Sequence, residues 1–226
     1  MRHVAIVPAR AGSKGVPGKN LKSIGGQTLT HRALSIAKAS GIFDQVILTT
    51  DIPLFLDERP DGWVTHPRPA SLAQDDSPMA DVVLDVLQSR DIKDHVFIWL
   101  LQPTSPFRRV EHFREIVQLL ELKSPSSVIG VTQVGDSHPS RMYKLSFTHK
   151  DLIPFLPKVS SFDNRQDLKP AYERNGMYYV ARCREFKEKK TFFIPACKPY
   201  LVDRMYAFNI NDELDFRLAQ EVAKWM

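Results

Sequence analysis

Cysteine is nearly absent: Cys183 and Cys197 are the only two in 226 residues, with no C-x-x-C and no histidine at metal-finger spacing. That excludes a disulfide framework and a structural zinc site, and it suits a reducing compartment. Long apolar runs are also missing. The longest, Val96 to Leu101, is far below the ~20 residues a bilayer-spanning helix needs. The chain opens on a strand-like Val4-Ala5-Ile6-Val7 with no leader-like segment, so a cytoplasmic location with no membrane association is expected. The net charge of +5 is spread without any run of five Lys or Arg, and the aromatics do not alternate with basic stripes, which argues against nucleic acid as a partner. Small anions fit the modest positive excess better. Several catalytic signatures are lacking too: there is no G-x-S-x-G, no H-E-x-x-H and no G-x-G-x-x-G. The seven histidines are scattered and read as surface or packing residues.

What is present is alternation of strand and helix. Val4 to Val7 predicts a strand, followed by a long loop through Gly26. Leu29, Ala33, Ile36 and Ala37 then fall at helical spacing up to Gly41. Val46 to Thr50 predicts a second strand. Ser77-Pro78 has the form of an N-cap and first-turn proline before Met79, Val82, Val83, Val86 and Leu87. Val96 to Leu101 has the unbroken apolarity of a strand covered on both faces. Val110, Phe113, Ile116, Val117 and Leu120 predict the next helix, and Val128 to Val134 the next strand. Between Gly135 and Tyr172 the helical period disappears, which reads as an inserted arm or lobe at about residues 136 to 175 of a single domain spanning 1–226. A strand resumes at Met177 to Val180. A last helix from Asp212 places Leu214, Leu218, Val222 and Trp225 on one face, expected to pack on the sheet, with Asp212, Glu213 and Asp215 favoured by the helix dipole. The fold class is therefore α/β, a doubly wound and mostly parallel sheet.

Ligands in such sheets bind beyond the carboxyl ends of the strands. The loop after the first strand, Pro8 to Asn20, combines Gly12, Gly15 and Gly18 with Arg10, Lys14 and Lys19. It is not a Walker A loop: Gly12 and Gly18 are separated by five residues rather than four, and Asn20 stands where a Mg²⁺-binding Ser/Thr would be. It is still suited to phosphate. Each cation at ~5 Å from a phosphate charge contributes roughly 3 kcal/mol at an effective dielectric of about 20, before desolvation. Phosphoryl-type transfer is catalysed largely by positioning and charge neutralisation, so no side-chain nucleophile is required.

The segment Ile6-Val7-Pro8-Ala9-Arg10-Ala11-Gly12-Ser13-Lys14 with Lys19-Asn20 resembles the signature loop of the CMP-sialic acid synthetases, or N-acylneuraminate cytidylyltransferases. The resemblance continues, in family order, through Arg68 to Ala73 with Asp75-Asp76-Ser77, then Leu101-Gln102-Pro103-Thr104-Ser105-Pro106, Asn175-Gly176 and Glu213-Leu214-Asp215-Phe216. It implies a Rossmann-like nucleotidyltransferase with an inserted dimerisation lobe. It also implies a reaction, in which the anomeric hydroxyl of a nine-carbon sugar acid attacks the α-phosphorus of CTP and expels pyrophosphate. By that resemblance Ala9, Arg10, Ser13, Lys14, Lys19, Asn20, Arg68 and Ser77 hold the nucleotide. Arg10 and Lys19 counter the charge of departing pyrophosphate, and Gln102 orients the sugar. Read on their own residues, Gln102 could equally end a strand, and Ser77 could equally cap a helix.

For the sugar acid the resemblance implies Arg165, Asn175, Tyr179, Phe192 and Phe193; Tyr179 and the two Phe would serve equally as core. It further implies a homodimer, with Arg165 acting either in its own site or across in the neighbouring one, and Mg²⁺ as cofactor with CTP. One departure matters: the family's metal-binding Asp-Ile-Asp is Asn209-Ile210-Asn211 here. Amide oxygens and CTP could still hold a hard cation. Two alternatives follow. Asn211 could simply cap the last helix, or the chain could be a CTP-binding homologue whose catalysis was lost with the two carboxylates.

Overall fold

The computed structural model describes residues 1–13, 15–58, 62–156 and 168–226. In chain order the elements begin with β1 (His3–Ala9), a 3₁₀ turn (Lys19–Leu21), the short strands β2 (Ser23–Ile24) and β3 (Gln27–Thr28), α1 (Leu29–Ser40), β4 (Gln45–Thr50), α2 (Pro53–Asp57), β5 (Val64–Pro67) and α3 (Met79–Ser89). They continue with β6 (Phe97–Leu100), α4 (Val110–Lys123), β7 (Ser127–Gln133), β8 (Tyr143–Leu145), β9 (Leu152–Pro154), β10 (Tyr172–Arg182), α5 (Cys183–Lys189), β11 (Lys198–Leu201) and α6 (Glu213–Val222).

Seven strands form one sheet in the order β11-β7-β10-β6-β1-β4-β5. Every neighbouring pair is parallel except the two made by β10, which runs antiparallel between β6 and β7. The doubly wound architecture follows from period-2 burial. Ala5, Val7 and Ala9 of β1, with Phe97 and Trp99 of β6, face α1 and α4 through Ala33, Leu34, Phe113, Ile116 and Leu120. Val4, Ile6, Ile98 and Leu100 face the other way, toward Val83, Val86 and Leu87 of α3 and Phe186 of α5. All seven β1 residues are buried, as a strand covered on both faces requires. Among the described residues, no helix is long and apolar enough to cross a membrane.

Three expectations about helices need correction. Ser77 does not cap α3: the residue before the helix is Pro78, and the Ser77 hydroxyl donates to the Ser71 carbonyl and accepts from the amide of Gln74. In α6 the expected face is wrong at three of its four residues, Val222 alone packing against a core cluster. Leu214, Leu218 and Trp225 are exposed, while Phe216 and Ala219 are buried. The reason is the partner: α6 packs on a third cluster formed by Val16, Ile24, Leu29, Phe107 and Ile210, beneath the loop that follows β1, rather than on the sheet. Its cap is Asp212, not Asn211. The Asp212 carboxylate accepts from the Asp215 amide at 2.9 Å, and the Asp215 carboxylate reaches back to the Asp212 amide.

Candidate active site

The order β6-β1-β4 places the carboxyl ends of three parallel strands side by side, with β1 between neighbours reached by crossovers on opposite sides. At that edge lies a pocket of about 390 Å³ lined by Pro8, Arg10, Ser13, Gly15, Lys19, Asn20, Arg68, Asp75, Met79, Gln102, Pro103 and Thr104. The β1 loop is therefore a wall of a built cleft. Its conformation has identifiable anchors. Val16 is fully buried in the cluster with Ile210 and Phe216. The Asn20 side-chain amide donates to the Arg10 carbonyl at 2.8 Å, closing the loop on itself. A Cβ on Gly15 would run into the backbone carbonyl of Asn211, so this approach of two backbones requires glycine.

The cations are held by the protein itself. Lys19 donates to the Ile210 carbonyl at 2.9 Å, and its pKa is lowered by burial first and by the nearby Arg10 second. Arg10 pairs with Asp75 at 2.5 Å. Arg68 is buried, donates from Nη2 to the Thr49 carbonyl at 3.0 Å and leaves its Nε unpartnered; burial lowers its pKa to about 10, so it stays charged at neutral pH. Lys14 lies outside the described residues. Ala9 is fully buried at the end of β1, and Ser77 sits in its own turn; neither lines the pocket.

A second pocket of about 240 Å³ adjoins the first, sharing Met79 and Gln102 with it. It is lined by Tyr179, Phe192 and Phe193, together with Leu100, Ile129 and Phe186, and by two cations that the sequence did not single out, Arg174 and Lys190. Nothing in the sequence points to these two. Arg174 reaches the cleft only because β10 returns antiparallel beside β6. Asn175 is placed differently: it is buried, its Oδ1 accepting from the Met177 amide at 3.1 Å and its Nδ2 lying 3.4 Å from the Thr132 hydroxyl, and it lines neither pocket. Arg165 lies outside the described residues.

For a divalent cation the donor set is neutral. Asn209 Oδ1 is buried without a hydrogen-bond partner, and Asn211 is exposed with its Nδ2 3.4 Å from the Asn209 carbonyl. Asp212 and Asp215 are occupied in the helix cap. Among the described residues no three His, Cys, Asp or Glu side chains stand together as metal ligands. Amide oxygens alone suit a cation that brings its own anionic ligands and do not suit one held by the bare protein.

A cytidylyltransferase family model matches residues 4–200. The chain belongs to the CMP-sialic acid synthetase family of cytidylyltransferases. It is 29% identical to CMP-N,N'-diacetyllegionaminic acid synthase of Legionella pneumophila over 98% of this chain and 96% of that protein. It is 30% identical to N-acylneuraminate cytidylyltransferase of Escherichia coli over 96% of this chain, which spans about half (51%) of that relative's length. A solved structure of CMP:2-keto-3-deoxy-manno-octonic acid synthetase complexed with CTP is similar over the whole of both chains, with a TM-score of 0.68 at 14% identity, which shows a shared fold. The mostly parallel, doubly wound nucleotidyltransferase sheet expected of the sequence is thus the fold observed.

Proposed function

We propose that this family member transfers the cytidylyl group of CTP to the anomeric hydroxyl of a sialic-type nonulosonic acid, giving CMP-sugar and pyrophosphate. The observation that carries the reading is the pair of abutting pockets, one cationic and one aromatic, that meet at Gln102. In the first, Arg10, Ser13, Lys19, Asn20 and Arg68 receive the nucleotide, and the resemblance of the loop motif adds Lys14 to that role. In the second, Tyr179, Phe192 and Phe193 offer apolar surface to an N-acyl group and the sugar's carbon face, while the cations Arg174 and Lys190 suit its carboxylate. Gln102 orients the hydroxyl. The new bond forms between that oxygen and the α-phosphorus as the bond from the α-phosphorus to the bridging oxygen breaks. The hydroxyl proton passes to solvent, and Arg10 and Lys19 neutralise the pyrophosphate that departs.

Asn209 and Asn211 would be the neutral oxygen neighbours of a Mg²⁺ ion held mainly by CTP, and such an ion would supply neutralisation of the triphosphate charge. A homodimer is part of the proposal, with the lobe at about 136 to 175 as its contact. The hairpin β8–β9 exposes Leu145, Phe147, Leu152, Ile153 and Phe155, and Arg165 would act across that contact.

The neutral metal environment favours one alternative, a protein that binds CTP without turning it over. Pyrophosphate release separates the two. CTP and Mg²⁺ are supplied with N-acetylneuraminate, a legionaminic, a pseudaminic or a deaminated nonulosonic acid in turn. Release with one of them supports transfer and names the sugar. Tight CTP binding with no release from any of them supports the alternative.

A further inference from the structure

Arg108 lines neither pocket, yet it is as enclosed as Arg68 of the nucleotide pocket. It is 6% exposed. All three guanidinium nitrogens donate to backbone carbonyls: Nε to Met177 at 2.9 Å, Nη1 to Ser105 at 2.8 Å and Nη2 to Gln102 at 2.9 Å. The guanidinium also lies 5.7 Å from the centre of the Tyr178 ring.

These three carbonyls belong to two segments. Gln102 and Ser105 are the ends of the turn that leaves β6, in which the Gln102 carbonyl also accepts from the Ser105 amide at 3.2 Å. Met177 belongs to the irregular stretch of β10 where the pairing with β7 shifts register between Arg174 and Tyr179. The first segment carries Gln102, one of the two side chains shared by the pockets, and the second delivers Tyr179 to the sugar side. They lie side by side. Gly176 has φ +75°, and a Cβ there would stand 3.4 Å from the Ser105 hydroxyl. Burying a cation costs several kcal/mol that an apolar side chain of similar size would not incur. A planar fork carries these three donors on three separate nitrogens in fixed directions, whereas the three donors of a lysine ammonium radiate from a single nitrogen.

Resting on the transfer reading above, we propose that Arg108 is a positioning residue: its fork locks the Gln102 turn to the β10 bulge and thereby sets the alignment of the sugar hydroxyl with the α-phosphorus. Burial lowers its pKa to about 10, so the fork stays charged throughout the neutral range. An ammonium has the charge without the fork. Misplacement of reacting groups by about 1 Å costs on the order of 100-fold in rate.

The test compares wild type, Arg108→Lys, Gln102→Ala and the double variant by steady-state kinetics, at a temperature well below each variant's melting point. Arg108→Lys is expected to lower kcat by about 10- to 100-fold with KM for CTP close to wild type. Gln102→Ala is expected to cost much less in the Arg108→Lys background than in wild type, because the turn is already misaligned. Wild-type kcat in Arg108→Lys, full additivity in the double variant, or a harmless Gln102→Ala overturns the proposal. A structural role alone would lower the melting temperature and leave the two losses additive. If Arg108→Lys does not fold, Arg108→Gln, which keeps a planar amide, takes its place with the same expected outcomes. Absence of wild-type turnover in the same assay sinks the transfer reading instead.

Discussion

The ammonium of Lys19 donates to the carbonyl of Ile210 at 2.9 Å, joining the loop after the first strand to the segment before the last helix. Ile210 lies between the two asparagines, so this contact links the phosphate-facing loop to the Asn209–Asn211 segment. Removing a preorganised charge of this kind costs about 10² to 10³ in rate. Lys19→Ala is expected to lose that much in kcat/KM for CTP, while its circular dichroism stays native. An unchanged kcat/KM would remove Lys19 from the site.

The pH dependence has a sign. Burial, and then the neighbouring Arg10, lower the Lys19 pKa, so Lys19 loses its proton at a lower pH than an exposed lysine. Triphosphate binding needs the charged form, so kcat/KM for CTP falls as pH rises through that lowered value. Bound CTP pulls the value back up, and binding in the alkaline range takes up protons. Lys19→Arg keeps its charge and flattens the alkaline limb. Calorimetry in buffers of different ionisation enthalpy measures the uptake, and its absence would sink the assignment.

Arg10 meets the nucleotide pocket already paired with Asp75, so an incoming triphosphate competes with a carboxylate for its charge. The pair is partly solvated, and such pairs contribute about 0 to 1 kcal/mol. Asp75→Asn is therefore expected to lower KM for CTP by up to about fivefold, read from initial rates at saturating sugar. A raised KM would mean that Asp75 does more than hold Arg10 in reserve.

Much of this arrangement is legible in the sequence, for physical reasons that differ by element. β1 and β6 are unbroken apolar runs because both faces of the sheet are covered. α1 and α4 show helical spacing because one stripe of each meets the sheet. α6 misleads because it carries two apolar stripes, and the one that packs, Phe216 and Ala219, is chosen by a loop cluster assembled from Val16, Phe107 and Ile210. The nucleotide loop is legible because its glycines and cations are contiguous. The sugar side is only half legible. Tyr179, Phe192 and Phe193 stand out as aromatic, whereas Arg174 and Lys190 acquire meaning only when the antiparallel return of β10 and the end of α5 bring them to one pocket.

Gly15 gives a test of the loop that leaves its cations in place. A methyl group at this position meets the Asn211 carbonyl, a backbone atom that cannot yield as a flexible side chain would. Gly15→Ala is expected to push the loop off the Asn209–Asn211 segment, weakening CTP binding at least tenfold with a modest fall in melting temperature. Titration calorimetry giving a CTP Kd within twofold of wild type would show that the loop can be displaced without consequence.

The asparagine pair predicts a metal phenotype that can be measured without turnover. With two amides in place of carboxylates, Mg²⁺ titrated into the bare protein should give no binding in the micromolar range, while activity, where present, still rises with Mg²⁺. Asn209→Asp with Asn211→Asp is expected to gain at least tenfold in affinity for Mg²⁺ or Mn²⁺ in the absence of nucleotide. The gain carries a cost. Asn209 Oδ1 is buried with no donor facing it, so a carboxylate there has its pKa raised by desolvation. The unfolded chain gives up that proton at lower pH than the folded one, so the variant loses stability as pH rises from the ordinary aspartate value to the raised one, and the deficit persists above it. Added metal, binding the folded form alone, should restore the lost melting temperature. Micromolar Mg²⁺ binding by the bare wild type would contradict the neutral-site reading. A double variant equally stable at pH 5 and pH 8, with and without metal, would contradict the burial of Asn209.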